Sequence, residues 1–262
     1  MRFIVGCCLA LLISFTPAHA GQAHVAVAAN FTATLKALVK QFEAGSEHRI
    51  LISSGSTGKL YAQIKNGAPF DILLAADSER PQLLEQEKLA VPGSRFTYAA
   101  GRLVLWSVQA ALIDQQGAAL TQMRFKHLAI ANPKTAPYGV AAREALEKMG
   151  LWQQVQPRLV QGEDIGQTFQ FVASGNAELG LVALAQAKSA QLGTYWVVPP
   201  AYYRPIAQQA VLLEKARDNA AARDFLAFLK TPAAGLIIER FGYTYDPSKI
   251  QNPKRDEARQ KF

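Results

Sequence analysis

Three times within its first 85 residues the chain repeats one pattern: a short apolar run, a small or polar turn, then apolar residues at helical spacing. His24 to Ala29 is a small, apolar run that ends at Asn30. Leu35, Leu38, Val39 and Phe42 then recur at i, i+3, i+4 and i+7, the stripe of an amphipathic helix. Asn30 or Thr32 is the natural N-cap of that helix. Ile50 to Ile52 is a second run, followed by the stretch Ser53-Ser54-Gly55-Ser56-Thr57-Gly58-Lys59 and then Leu60, Tyr61 and Ile64. That spacing predicts a strand, a small-residue turn and a helix start, a local geometry that aims backbone N–H groups and hydroxyls at an anion. Asp71 to Ala76 is the third run, with Asp77 and Ser78 ahead of Leu83 and Leu84. A β-α-β-α-β-α order predicts a parallel sheet with its turns at the strand ends.

The plan returns further along. Arg102 to Ser107 reads as a strand that crosses to a second lobe, and Leu128 to Ala131 as another. Asn132 to Gly139 is a loop with two prolines, and Ala142, Ala145, Leu146 and Met149 mark a helix stopped by Gly150. Glu163-Asp164-Ile165-Gly166 opens a helix through Val172, and Leu179 to Val182 is a buried strand. Trp196 to Val198 is a strand, and Ile206 to Leu213 a long apolar one returning to the first lobe. Helices around Phe225 to Leu229 and Leu236 to Phe241 close the fold. The expected class is therefore α/β in two lobes, one from 21–102 and 206–246, the other from 103–205. Ligands of such sheets bind at strand ends and between lobes. The segment 247–262 is polar and aperiodic and reads as a basic flexible tail.

Residues 1–20 read as a secretory signal peptide. Arg2 precedes the largely apolar stretch from Phe3 to Phe15, and Ala18-His19-Ala20 is an A-x-A cleavage pattern ahead of Gly21. Both cysteines, Cys7 and Cys8, fall inside it, so the exported chain is expected to carry no disulfide. The formal charge of +8 includes Arg2, and the remaining Lys and Arg are scattered rather than striped, which argues against nucleic acid.

Catalytic and metal motifs are not legible. His24, His48 and His127 fall at no metal-ligand spacing, and there is no nucleophile elbow. The Gly55 to Lys59 stretch departs from a nucleotide-binding loop twice, with Ser53 where glycine is needed and Leu60 where Ser or Thr is needed. Glu163 and Asp164 are neighbours in sequence, which suits a helix cap or solvated charge better than an acid/base pair. Lys59 is expected to point to solvent. No cofactor and no direct protein-to-metal ligand is expected, and a recognition cleft is the reading that remains.

Six segments bear on which cleft. Val27 to Phe31, Ser54 to Ile64, Asn66 to Asp71, Gly93 to Ala99, Asn132-Pro133 with Ala136 to Gly139, and Glu163 to Gln167 occur in an order that resembles the periplasmic molybdate-binding proteins of ABC importers. The resemblance runs to about Tyr243. It implies a periplasmic binding-protein fold with mixed, mostly parallel sheets, a hinge, and the oxyanion held between the lobes. It places contacts at Asn30, with Ala29 beside it, and at Thr57, with Ser56 adjacent, through side-chain and backbone donors. In the second lobe it places them at Tyr138 and Ile165, chiefly through backbone N–H. Some members of that family carry a hydroxyl residue where Ala29 stands, and others a tyrosine where Ala183 stands; here both positions lack a side-chain donor. The implied role is that of a monomer that binds molybdate, with tungstate comparable, and delivers it without catalysis to an ABC permease in the inner membrane. A protein of the same fold for sulfate, phosphate or another small anion is the alternative.

Overall fold

The structure is a computed structural model and describes residues 20–114 and 116–250. The expected signal peptide, apart from Ala20, and the tail beyond Ile250 lie outside the described residues. In chain order the elements begin with β1 (Gln22–Ala28), α1 (Thr32–Ala44), β2 (Arg49–Gly55), α2 (Thr57–Lys65), β3 (Ile72–Leu74), α3 (Glu79–Gln86) and β4 (Phe96–Gly101). There follow β5 (Leu103–Ser107), α4 (Ala118–Thr121), β6 (Leu128–Ala131), α5 (Pro137–Lys148), α6 (Trp152–Val155), β7 (Leu159–Gly162), α7 (Ile165–Ala173), β8 (Leu179–Ala183), α8 (Leu184–Ala190) and β9 (Thr194–Val197). The described residues close with β10 (Ile206–Leu212), α9 (Ala220–Leu229), α10 (Pro232–Arg240) and α11 (Pro247–Ile250).

The strands form two five-stranded sheets, ordered β2-β1-β3-β10-β4 and β7-β6-β8-β5-β9. Each contains a parallel trio (β2, β1, β3 and β7, β6, β8) extended by antiparallel strands. Parallel and antiparallel pairings are therefore equally represented, rather than mostly parallel as expected. The chain leaves the first sheet at Gly101 and enters the second at Leu103, and β10 brings it back. This is the two-lobed architecture that the sequence implies.

Burial explains the composition of the central strands. β1 is inaccessible at Ala23 and from Val25 to Val27, and β5 from Leu103 to Trp106, because helices cover both faces. Phe31, fully buried, meets Tyr98 and Tyr243 edge-on, with ring centroids 4.7 and 5.1 Å away. It thereby fixes the junction between β1 and α1.

Several local expectations are corrected. Neither Asn30 nor Thr32 caps α1 through its side chain. Ala29–Phe31 form a 3-10 turn whose first carbonyl accepts the Thr32 N–H, so the helical winding starts earlier. The Thr32 hydroxyl instead meets Ser54 Oγ at 2.8 Å. The stretch Ser53–Gly55 is the end of β2 rather than a turn, because it continues the parallel register with Ala26–Ala28. The turn shrinks to Ser56 alone. Strand β4 and helix α8 were not foreseen. The start of the expected tail, Pro247–Ile250, makes one helical turn.

Replacing Phe31 by alanine is expected to cost about 3–5 kcal/mol of unfolding free energy, the range for emptying a large buried aromatic site. Urea denaturation measures it, and a cost under about 1 kcal/mol would mean that the β1–α1 junction does not depend on this ring.

Candidate oxyanion site

The two parallel trios are wound alike. β1 and β2 each run into a helical turn, and so do β6 and β7, so four helix starts stand at the strand ends on the side where the lobes meet. The residues expected to touch a ligand, Ala29, Asn30, Ser56, Thr57, Tyr138 and Ile165, all line one cavity of about 10 Å³ between them, room for the centre of little more than one water-sized sphere. The cavity suits a single small ion.

The first turn of a helix carries N–H groups without intrahelical partners. In three of these turns most of the neighbouring donors are already engaged. The Gly58 N–H donates to Thr135 O at 2.8 Å and the Lys59 N–H to Ser56 Oγ at 3.4 Å. The Gly139 N–H goes to Ala136 O, and the Gln167 N–H to Asp164 Oδ1 at 2.9 Å. Pro137 has no N–H to give. This leaves the first-turn N–H groups of Thr57, Tyr138, Ile165 and Gly166 without a protein acceptor, and the first three belong to residues that line the cavity. The Ala29–Phe31 turn brings Asn30 to the same cavity.

The hydroxyls of the first lobe are set up as donors. Thr57 Oγ1 accepts the Ala76 N–H at 3.0 Å, and Ser56 Oγ accepts from Lys59, so each has its acceptor side occupied and a proton left to offer. The Asn30 side chain behaves differently from expectation. Its Nδ2 donates to Gln208 Oε1 at 2.9 Å and to Tyr243 OH at 3.1 Å, while the Tyr243 hydroxyl donates to Asn30 O at 2.7 Å. Both amide protons are thus engaged within the lobe, and Asn30 Oδ1 is buried without a partner. The donor Asn30 can present is its backbone N–H.

Asp164 is the one formally charged residue among those lining the cavity. Its carboxylate caps α7 and so faces the helix rather than an incoming anion. Lys59 lies outside the cavity. It pairs with Glu163 of the other lobe, and both side chains are about half exposed. Ala183 lies at the buried end of β8 and is not among the lining residues. Its N–H donates to Gln186 Oε1, and Gln186 Nε2 in turn donates to Ile165 O at 3.0 Å, which holds the start of α7 in place. Among the described residues no cluster of His, Cys, Asp or Glu could hold a metal ion.

Beneath the cavity lies a polar knot that the sequence reading missed. Gln208 contacts Asn30, Tyr98 OH at 3.0 Å and, from the first lobe to the second, Tyr138 OH at 3.4 Å. The Tyr138 ring reaches the hinge strands so closely that a Cβ on Gly101 would come 2.1 Å from its hydroxyl. The available signal was two glutamines, Gln208 and Gln209, inside an otherwise apolar strand.

A family described as bacterial extracellular solute-binding protein matches residues 23–244. The chain belongs to that family. Among its relatives, the molybdate-binding protein ModA of Azotobacter vinelandii is 52% identical over 229 residues, covering 86% of this chain and 91% of that protein. The ModA protein of Rhodobacter capsulatus is 46% identical over 236 residues, covering 90% and 93%. In three dimensions the fold matches the Azotobacter vinelandii periplasmic molybdate-binding protein with a TM-score of 0.82 at 43% identity, over 86% of this chain and 99% of that one. The sulfate-binding protein SubI of Mycobacterium tuberculosis, 14% identical with a TM-score of 0.71, shares the fold. The family membership and the two-lobed fold implied by the sequence are both borne out.

Two measurable consequences follow from the site's wiring. Thr57→Ala strips the Ala76 N–H of its acceptor in a buried setting. It is expected to lower unfolding free energy by about 1–3 kcal/mol, whereas Thr57→Ser, which keeps the hydroxyl, should cost less. Urea titration of the two variants checks this, and equal losses would point to the methyl group rather than the hydroxyl.

Burial, above all, pushes the Tyr98, Tyr138 and Tyr243 hydroxyls above the ordinary tyrosine value of 10.0. Folding therefore favours their protonated forms, and the folded state binds more protons than the unfolded state above that value. Stability from these groups is complete below about pH 10 and falls as pH rises beyond it, by about 1.4 kcal/mol per pH unit for each tyrosine still protonated. Denaturation midpoints between pH 9 and 11 measure the slope, and Tyr→Phe variants should flatten it.

Proposed function

We propose that this chain captures molybdate, as a tetrahedral dianion, and hands it to the permease of an ABC importer without chemical change. The observation that carries the reading is the convergence of four helix starts, two from each lobe, on one small cavity with no Lys or Arg in its lining. Backbone N–H groups at helix N-termini, helped by the helix dipoles, bind anions without cationic side chains. The high identity to proteins named for molybdate gives this anion preference over others.

In this reading the first lobe supplies the Asn30 N–H, with Ala29 beside it, and the Thr57 N–H and hydroxyl, with the Ser56 hydroxyl adjacent. The second lobe supplies the Tyr138 and Ile165 N–H groups. Ile165 serves as a ligand position through its backbone, so its apolar side chain is free to bury. Closure removes water from the anion and strengthens each neutral hydrogen bond in a low dielectric. Sulfate carries the same charge, so selection rests on size. Donors held too far apart for the smaller anion leave some unpaired, at about 1–3 kcal/mol each. Tungstate, close to molybdate in size and shape, is expected to bind comparably. The protein works as a monomer in the periplasm, after removal of residues 1–20, and performs no catalysis.

Thermal denaturation of the processed protein with molybdate, tungstate, sulfate and phosphate tests the proposal. At a hundredfold excess over Kd, a ligand that binds only the folded state adds about 2.7 kcal/mol, or roughly 5–10 °C for a chain of this size. Molybdate and tungstate should give such shifts at concentrations where sulfate and phosphate give little. An equal response to sulfate would overturn the assignment.

A further inference from the structure

The lobes touch not only around the cavity but along a line beside its mouth. On the first lobe that line is Gly58 and Lys59, in the opening turn of α2. On the second it is Thr135, in the loop before α5, and Glu163, just ahead of α7. The Gly58 N–H donates to Thr135 O at 2.8 Å. Lys59 Nζ pairs with Glu163 Oε2. The Thr135 hydroxyl lies 3.5 Å from Glu163 O, joining the two contacts on the second lobe. Gly58 is one residue from Thr57, and Glu163 two from Ile165, so both contacts lie close to the cavity. None of the four lines it.

We propose that Gly58, Lys59, Thr135 and Glu163 form a closure seam that positions the two half-sites against each other and sets how long the anion is retained, without touching it. This rests on the oxyanion reading above. The steric observation is specific. A Cβ on Gly58 would come 2.9 Å from Thr135 O and 3.1 Å from Thr135 Cα. Carbon contacts are optimal near 3.5–4.0 Å. The obstructing atoms are backbone of the opposite lobe, so no side chain can turn aside. Any residue but glycine must hold the lobes apart by some tenths of an ångström. The donors of the two lobes then stand too far apart for an anion that bridges them.

Gly58 also has a partition role. Its N–H belongs to the same first turn as that of Thr57 and is orphaned in the same sense. The seam gives it a protein acceptor, so it is satisfied by closure and not by the ligand. The conformational freedom of glycine is not the reason for the residue, because alanine is the better helix former. Helix propensity and seam geometry therefore make opposite predictions at this position.

Gly58→Ala, in the full processed protein, is the primary test, with molybdate binding followed by calorimetry and stopped-flow dissociation. The wild type serves as control for the oxyanion reading. If it fails to bind molybdate, that reading falls on its own account. With wild-type binding in hand, the variant is expected to bind roughly tenfold more weakly or worse, mainly through faster dissociation. Its ligand-free melting temperature should be unchanged or raised. Wild-type affinity in Gly58→Ala overturns the seam. A fall in ligand-free melting temperature that accounts for the whole affinity loss also overturns it, since the glycine would then serve α2 alone.

Lys59→Ala is the second variant and leaves the backbone contact intact. It is expected to speed dissociation at low salt and to converge with wild type at high salt, where an exposed ion pair is screened. Identical dissociation at low salt would remove the ion pair from the seam.

Discussion

A helix cannot satisfy its own first N–H groups, and a cleft that buries four helix starts must find them an acceptor. This constraint organises the molecule. The parallel trios β2-β1-β3 and β7-β6-β8 are two copies of one winding rule. A right-handed β-α-β connection puts every helix start at the same edge of its sheet. Facing two such edges across a hinge brings the turns after β1, β2, β6 and β7 to one point. The cavity is the place where the topology leaves donors unpaired on both sides.

The lining shows why basic side chains are kept out of it. A lysine would attract any dianion and, on its flexible stem, would adapt to either size. Backbone N–H groups cannot move without moving a helix, so their spacing is a fixed gauge. The surroundings keep that gauge stiff. Gln186 ties Ile165 O to the end of β8. Asp164 turns its carboxylate onto α7. Gln208 links Asn30 and Tyr98 of one lobe to Tyr138 of the other. The charges near the cleft, Lys59 and Glu163, neutralise each other on the rim.

Local periodicity made most elements legible, along with the residues at helix starts, because caps and apolar stripes are local signals. Ser56, Thr57 and Ile165 could be placed by counting from a strand end. What escaped depended on contacts between distant parts of the chain. β4 is a strand because β10, over a hundred residues later, pairs with it. The register with β1 turned Ser53–Gly55 from turn into strand. Asn30 looked like a cap because Asn often is one, and nothing local reveals that Gln208 and Tyr243 engage its amide. Lys59 was rightly kept out of the cavity, yet its partner across the lobes is 104 residues away.

Closure has an electrostatic asymmetry that links the site to transport. Bringing four partially positive helix ends together without an anion concentrates like charge and strips water from N–H groups that then have no acceptor. With a dianion present the same approach satisfies them. A ligand shifts a conformational equilibrium only by its difference in affinity for the two states, and an anion held from both lobes has its full set of donors only when they are together. Contacts between the lobes themselves, such as Gly58 to Thr135, favour the closed form whether or not the anion is there. They can tune the balance but cannot supply the difference. The anion alone supplies it, so the closed shape marks a filled cavity.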